Sequence, residues 1–338
     1  MTKFDNAPDG LLPDGDAETP DTPGSERETR LLPVTPELVG QRADRVLAEL
    51  VPEFSRSYLQ QRIDDGAVRI GLPHALQPLR KPAQRLKPGE LLEVDLEPTA
   101  QSQAYRPEAM DLVTVYADEH LRVINKPAGL VVHPAPGNWQ GTLLNGLLAL
   151  DAQAVNLPRA GIVHRLDKDT SGLMVVARTR QTMEALVNAI AAREVRREYK
   201  ALAHRPWSGP AERVVNAAVG RDPRNRLRMA VVDLVRQPGK PAHTTFALQR
   251  NFDEACLVQA KLGTGRTHQI RVHMAHLGHP LVGDAVYGGQ ARWGLNRQAL
   301  HAWRLAFTHP VTGEALAWES ELPADIQAAL QALGLASA

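Results

Sequence analysis

The sequence predicts an α+β protein in which a small module of helices and strands precedes a larger domain. Three patterns support this prediction. Residues 42–50 space their apolar side chains three and four positions apart, as an amphipathic helix does, whereas residues 92–96 alternate apolar and polar side chains, as a half-buried strand does. Residues 160–179 place a dense polar loop between two short apolar runs, which indicates a strand, a loop and a second strand.

The composition is typical of a globular protein without a membrane anchor. The chain has 338 residues, enough for two or three domains, and 43% of them are hydrophobic. No apolar run approaches the roughly 18 residues that cross a bilayer, and the N-terminus carries no secretory signal pattern. The one cysteine, Cys256, excludes an intramolecular disulfide. We therefore expect a cytoplasmic protein with no membrane partner, monomeric by default.

Charge is unevenly distributed along the chain. Residues 1–30 contain eight acidic and three basic residues, a charge of −5, so the remainder carries +6 of the net charge of +1. That excess suits a polyanionic partner. Because residues 1–33 are acidic, rich in proline and glycine and poor in apolar side chains, we predict a disordered tail there.

The module at residues 34–97 starts with the first amphipathic helix. Ser55 is positioned to cap a second helix, which Gly66 ends. A strand starts at Val68, and the alternating strand at 92–96 follows after a turn. The predicted order is therefore helix, helix and small sheet.

The larger domain is predicted to span residues 111–338, after a polar, proline-containing linker at 98–110. Within it, Thr179 is positioned to cap an amphipathic helix. The next strand carries Arg197 and Tyr199 on one face, which points Tyr199 toward a core or a cleft. From the residues alone, a core tyrosine is the simpler interpretation.

The polar loop carries the residues best suited to chemistry, because loops between buried strands present side chains on a rigid frame. Asp167 lies two positions after Arg165 and three after His164. Extended backbone would point Arg165 and Asp167 to the same face, with the guanidinium beside the carboxylate. A purely structural pair in a tight loop is the alternative.

A second polar segment follows a predicted strand near residue 262. Thr267 is positioned to cap a helix that Gly278 ends, which places Arg266 beside the helix N-terminus, where a carboxylate is favoured. Nearby histidines raise a zinc site as an alternative. They are His268, His273, His276 and His279. The lack of nearby cysteines and the neighbouring arginines argue against it, so we predict no metal.

A third segment concentrates arginines among turn residues. These are Arg221, Arg224, Arg226 and Arg228. Four guanidiniums within eight positions repel each other unless an anion or water lies between them, so Arg224 and Arg226 are candidates for phosphate contact.

The loop sequence His-Arg-Leu-Asp at 164–167, followed by Thr-Ser-Gly at 170–172, resembles the signature of the RluA-type RNA pseudouridine synthases. Similar motifs extend the resemblance over residues 35–335. It implies an α+β catalytic domain built on a mostly antiparallel central sheet with helices packed against it. It also implies that the protein is an enzyme.

The resemblance implies roles for individual residues. Asp167 would be the catalytic nucleophile, and Tyr199 would stack on the target uracil. Arg266, from the segment Gly-Arg-Thr-His-Gln-Ile-Arg, would pair with Asp167, and Arg165 is a second candidate for that pairing. His164 and Arg165 are expected to contact the substrate.

Residues 34–97 are similar to an S4 RNA-binding domain, on the basis of Ser55-Arg56 and the segment at 64–68. They depart from that family at residues 69–71, where Arg-Ile-Gly stands in place of Val-Asn-Gly. The similarity implies that Arg56 and Arg62 contribute to a basic surface for RNA phosphates. An ordinary solvated face is the alternative.

Together these resemblances imply isomerisation of uridines to pseudouridine in 23S ribosomal RNA, with the helix 69 stem-loop as the target. The partner would be 23S rRNA or a precursor of the large ribosomal subunit. The reaction needs no cofactor, because it involves no redox change. Two rival functions remain at this point: a noncatalytic RNA-binding or ribosome-assembly protein, and an RNA N-glycosidase that would release free uracil.

Overall fold

The computed structural model describes residues 28–52, 54–97, 104–135, 137–225 and 228–334. The chain divides into two compact units, Met1–Ser102 and Gln103–Ala338. No helix in these described ranges is both long enough and apolar enough to cross a bilayer.

The first unit has the predicted order of helix, helix and small sheet. Its elements are β1 (Glu28–Pro33), a 3-10 turn at Pro36–Leu38, α1 (Ala43–Leu50), α2 (Arg56–Asp64), β2 (Val68–Leu72), β3 (Ala75–Pro78) and β4 (Leu91–Leu96). The antiparallel sheet has the order β1-β4-β2-β3. Ser55 caps α2, since its side chain accepts a hydrogen bond from the backbone N–H of Tyr58. Leu47, Leu59 and Val94 lie in one core between the helices and the sheet.

The N-terminal boundary of this unit differs from the sequence prediction. Residues 28–33, expected to be disordered, form β1 and pair along β4. The hydroxyl of Thr29 donates to the Asp95 carboxylate at 2.6 Å. Composition misled here because a neighbouring strand supplies the hydrogen bonds that a short polar segment lacks by itself. Residues 1–27 of the predicted tail lie outside the described residues.

Asp44 is expected to stabilise the first unit above about pH 4. Its carboxylate, 3% exposed, lies 3.0 Å from Nε of Arg42 and 2.9 Å from Nη2 of Arg56. The hydrogen bond from Arg42, with Arg56 assisting, holds the pKa of Asp44 at about 2. Because this value is below that of the unfolded chain, the stabilisation is lost as pH falls from about 4 through 2. Because both guanidiniums are exposed and screened by solvent, the stabilisation from Asp44 is limited to about 1–2 kcal/mol.

The measurement is hydrogen exchange of the α1 and α2 amides between pH 3 and 7, with Asp44→Asn compared with the unaltered chain. The substitution should accelerate exchange strongly near pH 6 and by a smaller factor near pH 3, where part of the stabilisation is already lost. Equal acceleration at both ends of the range would contradict the assignment.

The second unit is built on a nine-stranded sheet. The twelve strands described in this unit, nine in the large sheet and three in a small one, are β5 (Val113–Ala117), β6 (Leu121–Lys126), β7 (Ser171–Ala177), β8 (Arg196–His204), β9 (Glu212–Asn216), β10 (Val219–Arg221), β11 (Met229–Val231), β12 (Gly239–Lys240), β13 (His243–Asn251), β14 (Ala255–Leu262), β15 (Leu300–Thr308) and β16 (Ala315–Glu319). The order is β5-β6-β7-β15-β8-β14-β13-β9, with β16 beside β15, while β10, β11 and β12 form a separate small sheet. Only β7 and β15 pair in parallel among the described strands, which confirms the mostly antiparallel sheet.

Helices cover both faces of the large sheet. They are α3 (Leu143–Leu150), α4 (Arg180–Ala191), α5 (Gln269–His276) and α6 (Ala324–Ala332), with 3-10 turns at Ala152–Asn156, Pro158–Gly161 and Ala285–Tyr287. The apolar run of β7 is buried throughout because alternate side chains face opposite cores. Met174 packs in the core that contains α3 and α5, whereas Val175 packs in the core that contains Leu186 of α4. Thr179 caps α4 as predicted.

Residues 104–110 belong to the second unit and are not part of a free linker. Ala104 is buried. The side-chain amide of Asn145 donates to the carbonyls of Ala104 at 3.1 Å and Arg106 at 2.8 Å. The rest of the predicted linker, residues 98–103, lies outside the described residues.

Gly172 is required where β7 meets β15. It has a φ of +116°, and a Cβ at this position would overlap the backbone carbonyl oxygen of Ala302, its partner in the parallel pairing. We expect Gly172→Ala to destabilise the unit by about 2–4 kcal/mol, because it combines backbone strain with a backbone clash.

Thermal or urea unfolding followed by tryptophan fluorescence measures this effect. Gly129→Ala is the matched control, since Gly129 also has a positive φ, +87°, but a Cβ there would meet nothing within 4 Å. The control should lose only about 1 kcal/mol. Equal losses in the two variants would mean that the close approach to β15 is unimportant.

Candidate active site

A cavity of about 360 Å³ opens in the second unit where the polar loop, β8 and the segment before α5 converge. Its volume is in the range of sites that hold small ligands, about 300–1,000 Å³. The ionisable side chains of the lining are His164, Arg165, Asp167, Arg193, Arg197, Tyr199, Arg266, His268 and Arg271. Asp167 is the only carboxylate among the described residues of this lining.

Backbone carbonyls of the Asp167 loop are held by buried cations. The ammonium group of Lys126, at the end of β6, donates to the carbonyl of Lys168 at 3.0 Å and to those of Pro127 and Leu130. Arg297 donates to the carbonyl of Asp169 at 2.9 Å. Burial lowers the pKa of Lys126 to about 7. Three carbonyl acceptors nevertheless match the three hydrogens of the charged form, which fixes the loop beside the cavity.

Arg271, and not Arg266, pairs with Asp167. Nη1 of Arg271 lies 3.2 Å from Oδ2 of Asp167. The other edge of the same guanidinium holds Asp284 through two hydrogen bonds of 2.7 and 2.8 Å. Burial by itself would lower the pKa of Arg271, but the two carboxylates outweigh it and raise the pKa. Asp167 is 18% exposed, so it reaches the cavity while staying paired.

The prediction for Arg266 is wrong because α5 begins later than expected. His268, in the left-handed conformation with φ of +57°, precedes the helix, and Thr267 does not cap it. The side chain of Gln269, the first residue of the helix, instead accepts from the Arg266 backbone N–H at 2.9 Å. The backbone therefore turns the Arg266 side chain toward the carbonyl of Pro241, at 3.1 Å from Nε.

His268 and Tyr287 connect Asp167 to the small sheet. The Tyr287 hydroxyl accepts from the backbone N–H of Met229 at 3.0 Å and shares a second hydrogen bond, of 2.9 Å, with Nδ1 of His268. Burial lowers the pKa of His268, which keeps the ring neutral. Nε2 of the same ring lies 3.8 Å from Oδ1 of Asp167.

Asp284 and Tyr287 are site residues that sequence reasoning missed. The ring of Tyr287 also lies against the guanidinium of Arg271, with 4.9 Å between the guanidinium carbon and the ring centroid. An acidic residue directly after a glycine and a short apolar run, Leu281-Val282-Gly-Asp284, was the available signal. That pattern alone does not say which cation it meets.

Tyr199 lies at the boundary between core and cavity. It is buried on β8, packs in the main core and lines the cavity. Burial raises the pKa of its phenol. The ring is therefore positioned for stacking against a ligand in the cavity, and its predicted contact with uracil stays a prediction.

Comparison with known proteins identifies the family. Residues 120–276 match the RNA pseudouridylate synthase family. The chain is 45% identical, over 99% of its length and 88% of the relative's, to the ribosomal large subunit pseudouridine synthase D of Neisseria meningitidis. The chain belongs to the RNA pseudouridylate synthase family. The ribosomal large subunit pseudouridine synthase D of Nitrosomonas europaea is 44% identical over 98% of this chain and 96% of the relative.

The fold agrees with this membership. The solved structure of human RNA pseudouridylate synthase domain containing 4 superposes with a TM-score of 0.52 at 25% identity, covering 67% of this chain and 94% of the human chain. This protein is therefore an RNA pseudouridine synthase, which excludes the noncatalytic alternative. The RluA-type signature in the polar loop indicated the same family.

His164 and Arg165 of this pseudouridine synthase line the cavity, and their contact with the substrate stays a prediction, but Arg165 does not pair with Asp167. Nε2 of His164 accepts from the backbone N–H of Val175 at 3.1 Å, and burial lowers the pKa of the imidazole to about 3. His164 is therefore a neutral ring that holds the loop to β7. Arg165 is exposed, and its guanidinium does not lie within 4 Å of the Asp167 carboxylate, which is paired with Arg271.

The other predicted phosphate contacts that the structure describes are not among the residues that line the cavity. Arg62 is mostly buried, donates to the carbonyl of Asp95 at 3.1 Å and pairs with Glu97 at 3.3 Å, so it holds α2 to β4. Arg56 is exposed but paired with Asp44. Arg224 is exposed, with its backbone N–H bonded to Asp222. Arg226 lies outside the described residues.

Three of the four histidines considered for zinc, His268, His273 and His279, have other partners in this pseudouridine synthase. His273 bonds through Nδ1 to the hydroxyl of Thr244 and through Nε2 to the carbonyl of Ala217, each at 2.9 Å. His279 bonds through Nδ1 to the carbonyl of His204. Within the described ranges, no three histidine, cysteine or acidic side chains are grouped as metal ligands.

Proposed function

We propose that this pseudouridine synthase isomerises uridines of 23S ribosomal RNA in the helix 69 stem-loop, with Asp167 as the catalytic carboxylate. The substrate class rests on relatives named ribosomal large subunit pseudouridine synthase D, which match almost the whole chain. The observation that carries the site is the lone carboxylate of the cavity, held by Arg271 and open to solvent on one side.

The reaction breaks the C1′–N1 bond of uridine and joins C1′ to C5 of the same base. N1 gains a proton and C5 loses one, so the overall change is an isomerisation that requires no cofactor. Asp167 could attack C1′, attack C6 of the ring, or remove the C2′ proton to give a glycal. Arg271 would orient the carboxylate in each route, and Tyr199 would support the uracil.

The charge of the cavity favours a polyanionic substrate. Besides Arg271, its lining includes Arg165, Arg193, Arg197 and Arg266, and none of these four lies within 4 Å of a carboxylate in the described structure. Unpaired guanidiniums attract phosphates. The target nucleotide would be flipped out of its stack at a cost of about a few kcal/mol, which phosphate contacts would offset.

The first unit would act as an S4-type RNA-binding module. Because the Arg62 side chain is bonded to the backbone of β4, the basic surface of this unit would centre on Arg80 and Lys81 instead. These two residues border a shallow pocket together with Gln77 and Gln84. Naked 23S rRNA or a precursor of the large subunit would be the partner, which implies a cytoplasmic location in a bacterium.

Tritium release from 23S rRNA labelled at C5 of uridine tests this function. We expect release from the full-length transcript and from the isolated helix 69 stem-loop, and none from a transcript that lacks this stem-loop. Free uracil among the products would support the N-glycosidase alternative, because an isomerase keeps base and chain joined. Release that persists without helix 69 would reject the proposed target.

A further inference from the structure

Arg197 is a buried charge without a partner. Its side chain, on β8 two residues before Tyr199, is only 7% exposed and lines the cavity. Nε is buried and has no hydrogen-bond partner, and in the described parts of the chain no carboxylate lies within 4 Å of the guanidinium. The nearest candidate in the cavity, Asp167, is already paired with Arg271.

The fold leaves space for this guanidinium. A Cβ on Gly265 would lie only 3.0 Å from Nη1 of Arg197, so a side chain there would crowd the group. Arg197 and Tyr199 share one face of β8, which directs the guanidinium toward the side of the cavity that Tyr199 borders. The positive charge also contributes to lowering the pKa of His164, after burial.

A buried guanidinium is costly when it has no anion, because desolvation is not offset by pairing. A neutral uracil carbonyl could accept a hydrogen bond but would not balance the charge. A phosphate oxygen does both, and its geometry matches the guanidinium fork. We propose that Arg197 binds a backbone phosphate that adjoins the target nucleotide, a contact that rests on the proposed function and deepens it.

The test combines a protein change with an RNA change. Arg197→Gln is compared with the unaltered enzyme on a synthetic stem-loop that contains one uridine found to be converted. Two further RNAs each carry a neutral methylphosphonate at one of the phosphates flanking that uridine. Arg196→Gln is the matched control, because Arg196 is exposed on the same strand and does not line the cavity.

With native RNA, Arg197→Gln should lower kcat/KM by about 10–100-fold. The slope of log Kd against log salt concentration should decrease by about the amount that one phosphate contact contributes. With one of the two methylphosphonate RNAs, the variant and the unaltered enzyme should differ by less than about 2-fold. An undiminished difference on both RNAs overturns the inference. Failure of the unaltered enzyme to convert native RNA would instead reject the proposed function.

A stability measurement separates binding from a structural role. Arg197→Met removes an unpaired buried charge and keeps the apolar stem, so Tm without RNA should rise by roughly 2 °C or more. Conversion of RNA by Arg197→Met should fall as much as it does for Arg197→Gln. Arg197→Lys, which keeps a positive charge, should retain part of the activity. A fall in Tm of several degrees for Arg197→Met would mean that Arg197 serves the fold, and would overturn the proposal.

Discussion

Asp167→Asn is expected to reduce pseudouridine formation by at least about 10³-fold while leaving RNA binding within a few fold. The amide has the shape of the carboxylate but lacks its charge and its ability to attack or to accept a proton. Arg271 keeps Asp284 as a partner in the variant, so the surrounding fold should persist. Tritium release measures the reaction, and fluorescence anisotropy with labelled RNA measures binding.

Asp169→Asn is the matched control for this experiment. Asp169 is in the same loop, undergoes the same chemical change and does not line the cavity. It should retain most of the activity. Substantial tritium release by Asp167→Asn would contradict the assignment of Asp167 as the nucleophile. An equal loss of activity in both variants would instead indicate that the substitutions damage the loop.

Arg271→Ala is expected to have the largest effect on stability, because one buried guanidinium holds both Asp167 and Asp284. Its removal leaves two carboxylates without that cation, and breaking such a buried pair typically costs about 3–5 kcal/mol. Activity should fall by at least about 10²-fold, because Asp167 loses its orientation. Urea unfolding followed by tryptophan fluorescence gives the stability, and tritium release gives the activity.

Arg266→Ala is the comparison that decides between the two arginines. Arg266 makes one side-chain hydrogen bond, to the carbonyl of Pro241, so its removal should cost less than about 1.5 kcal/mol. The double variant Arg271→Met with Asp284→Asn should recover much of the lost stability without recovering activity. If Arg266→Ala unfolded more readily than Arg271→Ala, the pairing seen in the structure would be wrong.

Local patterns predicted much of this architecture. The run at Leu173–Ala177 is a buried strand, Thr179 caps the following helix, and the first unit has its two helices before β2. These features depend on side-chain periodicity and on capping chemistry, both of which act over a few residues. The loop that carries Asp167 was located for the same reason.

The arginine that meets Asp167 could not be identified in this way. Arg266 and Arg271 lie on either side of a left-handed residue, His268, whose ring is bonded to Tyr287, a residue that in turn accepts from the backbone of Met229. A helix starting at Thr267 is locally reasonable, but tertiary hydrogen bonds through Gln269 determine the actual start. Conformations of this kind are not encoded in the spacing of neighbouring residues.

The parallel pairing of β7 with β15 has a consequence for biosynthesis. Ser171 and His301, which meet in this pairing, are 130 positions apart. At typical translation speeds this separation corresponds to a delay of roughly 10 s between the two strands leaving the peptidyl transferase centre. During that delay an apolar strand has an open edge and is vulnerable to aggregation. Catalytic competence is therefore acquired late, and a nascent chain stalled before β15 would be a substrate for chaperones and would not modify RNA.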